Sequence, residues 1–264
     1  MAPAPQPALY IPHGGGPCFF MDDPLGAWTG MADFLRNVAS GLPRRPDAII
    51  VISGHWETKG FVFTAAAQPE LIYDYHGFPP HTYQITYPVP GAPQLASNAG
   101  ELLQQAGLAA QTDPARGLDH GVFIPLKVMF PEADVPIIEM SLDAGLDPAL
   151  HLAAGRALAP LRERNVLLVG SGMSFHNMRG YRDPQYTEPS RRFDAWLTAA
   201  METPLPQRSE LLASWTDAPG ARLCHPREEH LLPAMVVAGA SQAVGRRVYA
   251  DTVLDTAISG FAFP

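Results

Sequence analysis

Asp47-Ala-Ile-Ile-Val-Ile-Ser-Gly-His55-Trp56 carries five consecutive apolar residues, Ala48 to Ile52, dominated by β-branched types. Such a run suits a strand buried on both faces, as in a parallel sheet covered by helices. Ser53-Gly54 ends the run, so His55 is expected where the strand hands over to a loop. In α/β sheets that C-terminal edge is where ligands bind. A lone histidine at a strand end also serves as an ordinary hydrogen-bonding residue, so companions must decide the matter.

The rest of the chain supplies them. Ala8-Leu-Tyr-Ile11 is a short apolar run that passes into Pro12-His13-Gly-Gly-Gly-Pro17. Three successive glycines allow close backbone approach, but the Lys-Ser/Thr of a phosphate loop is missing. Asn165-Val-Leu-Leu-Val169 repeats the theme, ending in Gly170-Ser-Gly-Met-Ser-Phe-His176-Asn177. His225-Pro-Arg-Glu228-Glu229-His230 precedes an apolar helical run through Ala240, and Asp119-His120-Gly121 is one more glycine-flanked histidine.

Between these points strands and helices alternate. Residues 24–40, 95–106, 148–164 and about 189–201 have helical spacing, and Gly107 is placed to end the second of these. A buried helix is expected from near Pro125, with strands at 61–63 and 135–142 and edge strands at 248–250 and 258–263. His151, in the first turn of its helix, is expected to face solvent. The 181–222 region, broken by prolines, is expected to make an excursion over the site. Alternation of this kind gives a mainly parallel sheet whose strand C-termini share one edge, with His13, His55 and His176 along it.

Composition narrows the function. The 264 residues are 47% hydrophobic and 17% charged, which describes a folded chain with a substantial core in one domain, residues 1–264. A net charge of −8 without a Lys/Arg block disfavours nucleic acid or anionic membrane as partner. Residues 1–7 lack the basic and apolar segments of a signal peptide, and no apolar run reaches the length of a membrane span. Cys18 and Cys224, far apart and outside any CxxC pattern, fit a reducing compartment, so a cytoplasmic location is expected. The 28 prolines imply stiff loops. One of these, Leu71-Ile-Tyr-Asp-Tyr-His76-Gly-Phe-Pro-Pro-His81-Thr-Tyr-Gln-Ile-Thr-Tyr87, either walls a pocket for a flat substrate or packs as a compact loop, with His76 and His81 peripheral.

Neutral imidazoles that converge near a carboxylate make a site for Fe(II), Zn(II) or a similar ion. Glu229, Glu228 and Asp119 are the candidate carboxylates. No HExxH, GxSxG or GxGxxG pattern occurs, which argues against zincins, α/β-hydrolases and dinucleotide-binding enzymes.

The motifs PHGGGP, SGHWE, IYDYHGFPPHTYQITYPVPG, GLDHGVFIPL, VGSGMSFHN and HPREEHLLP, in this order from about residue 8 to 240, resemble the DOPA-dioxygenase-type class III extradiol ring-cleavage enzymes. The resemblance implies a three-layer α/β/α fold of phosphorylase/hydrolase-like type with a mainly parallel or mixed central sheet. It implies a non-haem metal site, with Fe(II) for ring cleavage or Zn(II) as bound, O₂ as co-substrate and a small aromatic diol as substrate. His13, His55, His176 and His230 match its metal-ligand positions, and His120 a position in the pocket. Protocatechuate-type relatives use two His and one Glu, whereas here the last position is His230 beside Glu229. His13, His55 and His230 are therefore the firmest ligands, and His176 is a fourth ligand or, like His120, a catalytic acid/base. The first turn is Gly-Gly-Gly where other members have Gly-Ser-Pro, and no basic residue stands out as a clamp for a substrate carboxylate. A zinc-dependent hydrolase and a non-catalytic metal-binding protein are the rival readings, and a homodimer is left open.

Overall fold

The computed structural model describes residues 4–264, so residues 1–3 of the segment judged free of a signal peptide lie outside it. In chain order the elements are β1 (Ala8–Pro12), α1 (Thr29–Val38), β2 (Ala48–Thr58), β3 (Phe61–Thr64), α2 (Pro93–Gln105), β4 (Ala110–Asp113), α3 (His120–Met129) and β5 (Ile137–Asp143). They continue with α4 (Pro148–Leu158), α5 (Pro160–Glu163), β6 (Val166–Gly172), α6 (Pro184–Met201), α7 (Gln207–Ala213), α8 (Ala221–Cys224), α9 (Leu232–Gly239), β7 (Arg246–Val253) and β8 (Thr256–Phe263). One mixed sheet runs in the order β4-β3-β5-β2-β6-β1-β8-β7. Its four central strands, β5, β2, β6 and β1, are parallel, so their C-termini open on one edge. No helix among the described residues is long and apolar enough to cross a membrane.

The central strands are buried because both faces are covered. Along β6, an added Cβ on Gly170 or Gly172 would collide with the Pro233 or His230 carbonyl, while the Ser171 hydroxyl between them reaches Gly121 of α3. Alternate strand residues point to opposite faces, so α9 and α3 lie on opposite sides of the sheet. That makes three layers, α/β/α. Helix α4 packs on the outside of α9. The crossing is close: a Cβ on Gly155 would sit 1.9 Å from the Val236 carbonyl oxygen. Gly155→Ala is therefore expected to force α4 and α9 apart and to cost about 3 kcal/mol of stability, the range of overpacked cores. Calorimetric unfolding checks this, and an unchanged melting temperature contradicts it.

Several elements depart from the sequence expectation. Strand β2 does not end at Ser53 but continues to Thr58. Its pairing with β5 breaks after Ile52–Met140 and resumes at Glu57–Leu142, so four residues of β2 oppose Ser141 alone. His55 thus sits in a bulge inside the strand, not in a loop after it; bulges of this kind re-aim side chains beside active sites. The helix expected from Pro125 starts five residues earlier, at His120. The helix over 148–164 is interrupted between α4 and α5, where Pro160 cannot continue the hydrogen-bond ladder. Of the two strands expected at an edge, β8 is interior, paired to both β1 and β7, and β7 alone lies at an edge, the other edge of the sheet being β4. His151 is buried, not solvent-facing: Nδ1–H donates to the Asp147 carbonyl at 2.7 Å, Nε2 accepts from the Asp143 amide at 3.3 Å, and the ring packs edge-on against Phe61. Most of 181–222 forms α6, α7 and α8, with α6 packed on β8, so only its first residues reach the site described next.

Candidate metal centre

Three imidazoles meet at the open edge of the sheet. His13 follows the end of β1, His55 projects from the bulge in β2, and His230 stands two residues before α9. The Nε2 atom of His55 lies 3.2 Å from His13 Nε2 and 3.2 Å from His230 Nε2. The three donors lie within 4.8 Å of one another. His13 and His230 are buried, 1% and 3% exposed, and His55 is half-buried.

The surrounding groups set the tautomers. The Ser171 hydroxyl donates its only proton to the Gly121 carbonyl, so its oxygen must accept from His13 Nδ1–H at 3.0 Å. Gly121 has this acceptor to spare because Pro125, four residues on in α3, has no N–H to give it. Glu229 Oε1 accepts from His230 Nδ1–H at 3.0 Å and from His176 Nδ1–H at 3.1 Å. The main chain of His230 is fixed as well, its carbonyl accepting from Tyr10 Oη at 2.8 Å and from the Met173 amide at 3.2 Å. With the protons of His13 and His230 on Nδ1, two Nε2 lone pairs face His55 Nε2, which can donate to one of them at most. A small divalent ion removes this conflict. Nitrogens about 3 Å apart match two ligands of one ion at ordinary Zn–N or Fe–N distances, and imidazole donors held by outer-shell acceptors are the usual arrangement.

Electrostatics agree. Burial, reinforced by the neighbouring imidazoles, drives the pKa of His13 and His230 well below the usual histidine value. For His55, burial and then His120 outweigh the pull of Asp119 and Asp74 and bring it down to about 4. All three are therefore neutral donors at pH 7. The sign of the pH effect follows. Between about 6.5, the unfolded value, and the lowered folded values, the unfolded chain binds more protons than the folded one. This stability is complete above about 6.5 and is lost as pH falls through that window, at up to ~1.4 kcal/mol per pH unit for each group. The melting temperature of metal-free protein is expected to drop steeply from pH 7 to pH 5, and a flat profile contradicts neutral, buried imidazoles.

Two further histidines flank the trio. The ring of His176 stacks on His230 with centroids 3.4 Å apart, and groups with His230 and Glu229, not with His13 and His55. His120 opens α3 with its ring centroid 4.0 Å from that of His55. Asp74 Oδ1 accepts from both His120 Nδ1–H, at 2.7 Å, and the His120 amide, at 3.0 Å, while Oδ2 stands 4.0 Å from His55 Nδ1. Burial pushes the Asp74 pKa up, but the bonds and charge of His120 prevail and hold it at about 2. Of the candidate carboxylates, Glu229 is at the centre. Glu228 pairs with Arg222 at the surface. Asp119 is buried behind the site, accepting from Ser53 Oγ–H at 2.8 Å, with the Ser53 oxygen in turn accepting from the His55 amide.

The imidazoles form one end of a cavity of about 520 Å³. Trp28, Tyr75 and Phe78 give it aromatic walls, and the triple-glycine turn lines it too. The aromatic segment is both wall and packed loop: Tyr73 and Tyr75 each donate a phenolic hydroxyl to a backbone carbonyl of the segment itself. His76 lines the cavity and so is not peripheral, whereas His81 bonds to the Phe20 carbonyl outside it. Sequence reading also passed over Asp74, Ser171 and Arg182. Asp74 had one signal, a carboxylate inside an otherwise aromatic run; Ser171, in a buried strand, had none. Arg182 lines the cavity, so a basic residue is present after all.

The family described as the catalytic LigB subunit of aromatic ring-opening dioxygenase matches residues 7–260. The chain belongs to this family. LigB dioxygenases are non-haem metal enzymes that act on aromatic diols, and an oxygenase-type enzyme is what this membership supports. A dioxygenase of Hapsidospora irregularis is 38% identical over 271 residues, covering 94% of this chain and 82% of its own. The 4,5-DOPA dioxygenase extradiol of Beta vulgaris is 36% identical, covering 88% and 86%, and that of Escherichia coli K12 is 35% identical, covering 91% and 87%. The crystal structure of an uncharacterised E. coli K12 protein superimposes with a TM-score of 0.77 at 30% identity, over 98% of this chain and all of the other. As a LigB protein, the chain carries its histidines on the three-layer frame that the sequence resemblance implied.

Proposed function

We propose that this LigB protein is a metal-dependent extradiol dioxygenase that opens the ring of a catechol-type substrate with O₂, and that residues 1–264 form its single catalytic domain. The observation that carries the reading is the set of three neutral Nε2 donors at the end of an aromatic-walled cavity. His13, His55 and His230 hold one divalent ion. When bound, Fe(II) supplies a charge for a catecholate and a path for electrons from ring to O₂; Zn(II) would fill the same donors without redox chemistry.

The remaining roles belong to the chain. Trp28, Tyr75 and Phe78 hold the flat ring and keep water from it. His120 accepts a hydroxyl proton of the diol at Nε2, its Nδ1–H being committed to Asp74, and Asp74 stabilises the imidazolium that results. His176, outside the trio and fixed by Glu229, is the second proton-transfer group, placed to return a proton as the ring opens. Both atoms of O₂ enter the product, and the carbon–carbon bond next to the diol breaks. The two free cysteines, both buried, favour a reducing, cytoplasmic setting.

Protein purified without oxygen and loaded with Fe(II) is expected to consume one O₂ per catechol and to form a yellow ring-opened product, with zinc-loaded protein inactive. Ester or amide hydrolysis indifferent to O₂, or an absence of ring opening across a catechol panel, overturns the reading.

A further inference from the structure

We propose that Arg182 is the specificity-determining residue of this site, binding a carboxylate carried on the side chain of the catechol. The inference rests on the ring-opening reading and adds to it the chemistry of the substrate's far end.

Arg182 is the only Lys or Arg among the residues lining the cavity. Among the described residues its guanidinium has no hydrogen-bond or ion-pair partner, although its own main chain is tightly placed. The amide of Arg182 donates to the Leu254 carbonyl at 2.8 Å, and φ is +63°. An arginine held in the left-handed region is uncommon and strained, a condition that concentrates at ligand-binding positions. Its supports are themselves built: Tyr181 Oη donates to the Phe175 carbonyl at 2.9 Å, and Leu254, in the β7–β8 turn at φ +48°, also lines the cavity. A free guanidinium on a fixed backbone suits two-pronged recognition of a carboxylate.

The rest of the rim gives the substrate a direction. Elsewhere in the lining, Asp23 spends both carboxylate oxygens on the amides of Ala27 and Trp28, at 2.9 and 2.8 Å, and Asp22 stands beside it. The carboxylates of Asp74 and Glu229 are each held against a histidine. Arg182 is thus the one lining cation able to pair with an anionic side chain, while the carboxylates nearby disfavour such a group. A diol end among the neutral imidazoles and a carboxylate end at Arg182 is the one orientation that satisfies both.

The test compares 3-(3,4-dihydroxyphenyl)propionate with its methyl ester, which has the same ring and nearly the same length but no charge. In Fe(II)-loaded protein the acid is expected to exceed the ester in kcat/KM by roughly tenfold or more. Arg182→Gln should erase that ratio through KM of the acid alone, leaving the ester unchanged, and Arg182→Lys should fall between. Calorimetry with 3-phenylpropionate on metal-free protein should show binding that weakens about tenfold in Arg182→Gln. An acid-to-ester ratio unaffected by Arg182→Gln, or an equal loss on both substrates, overturns the assignment. If native protein opens neither ring, the ring-opening reading fails, while the calorimetry still decides whether Arg182 binds the carboxylate.

Discussion

His55→Ala is expected to lose both bound metal and ring-opening activity, the largest effect of any single substitution in this protein. His55 Nε2 is the common neighbour of the other two donors, 3.2 Å from each, so its removal leaves two nitrogens with no third to complete the set. Loss of an outer-shell partner typically weakens metal binding 10–100-fold, and loss of the central donor should exceed that. The fold should survive. His55 occupies a bulge, and the pairing of β2 with β6 has ended at Ser53 before it. Metal-free His55→Ala should even resist acid better than metal-free native protein, because one of the imidazoles that oppose protonation of His13 and His230 is gone. Metal analysis of protein loaded with Fe(II) and freed of excess ion, alongside O₂ uptake with a catechol, checks both parts. Full metal content with full activity sinks the donor assignment.

His120→Ala separates binding from chemistry. Here metal content is expected to stay near the native level, while kcat falls by about 10²–10⁴, the usual contribution of a positioned acid or base. Asp74→Asn should reproduce part of the defect, since an amide oxygen can still accept from the His120 amide and from Nδ1–H but no longer offsets a positive imidazole. A His120→Ala protein that loses its metal, or that turns over at the native rate, contradicts the role given to this residue.

Much of this site was legible in the chain because it depends on local pattern. A β-branched run between turn residues, repeated with a histidine or glycine at its end, marks a buried parallel strand and an open edge, and Ala48–Ile52 and Val166–Val169 carried that signal fully. What escaped depends on partners distant in sequence. Nothing in Ser53-Gly-His-Trp56 reveals that β5 will resume pairing at Glu57, so the bulge that aims His55 was invisible. Strand β4 is four residues with two exposed side chains and has no periodicity to detect. His151 looked like a polar first-turn residue, and only the packing of Phe61 and the Asp143 amide around it makes it buried. Asp74 acquires its meaning from the bare amide at the start of α3, 46 residues away.

The proline in α3 has a consequence that reaches the first histidine. A continuous helix would consume the Gly121 carbonyl internally; with Pro125 it is left to Ser171, and Ser171 in turn has no proton to offer His13. A vacancy in a helix ladder is thereby relayed through two acceptors into the direction of an imidazole lone pair. A buried residue with no ionisable group and no polar side chain thus sets the direction of a candidate donor's lone pair.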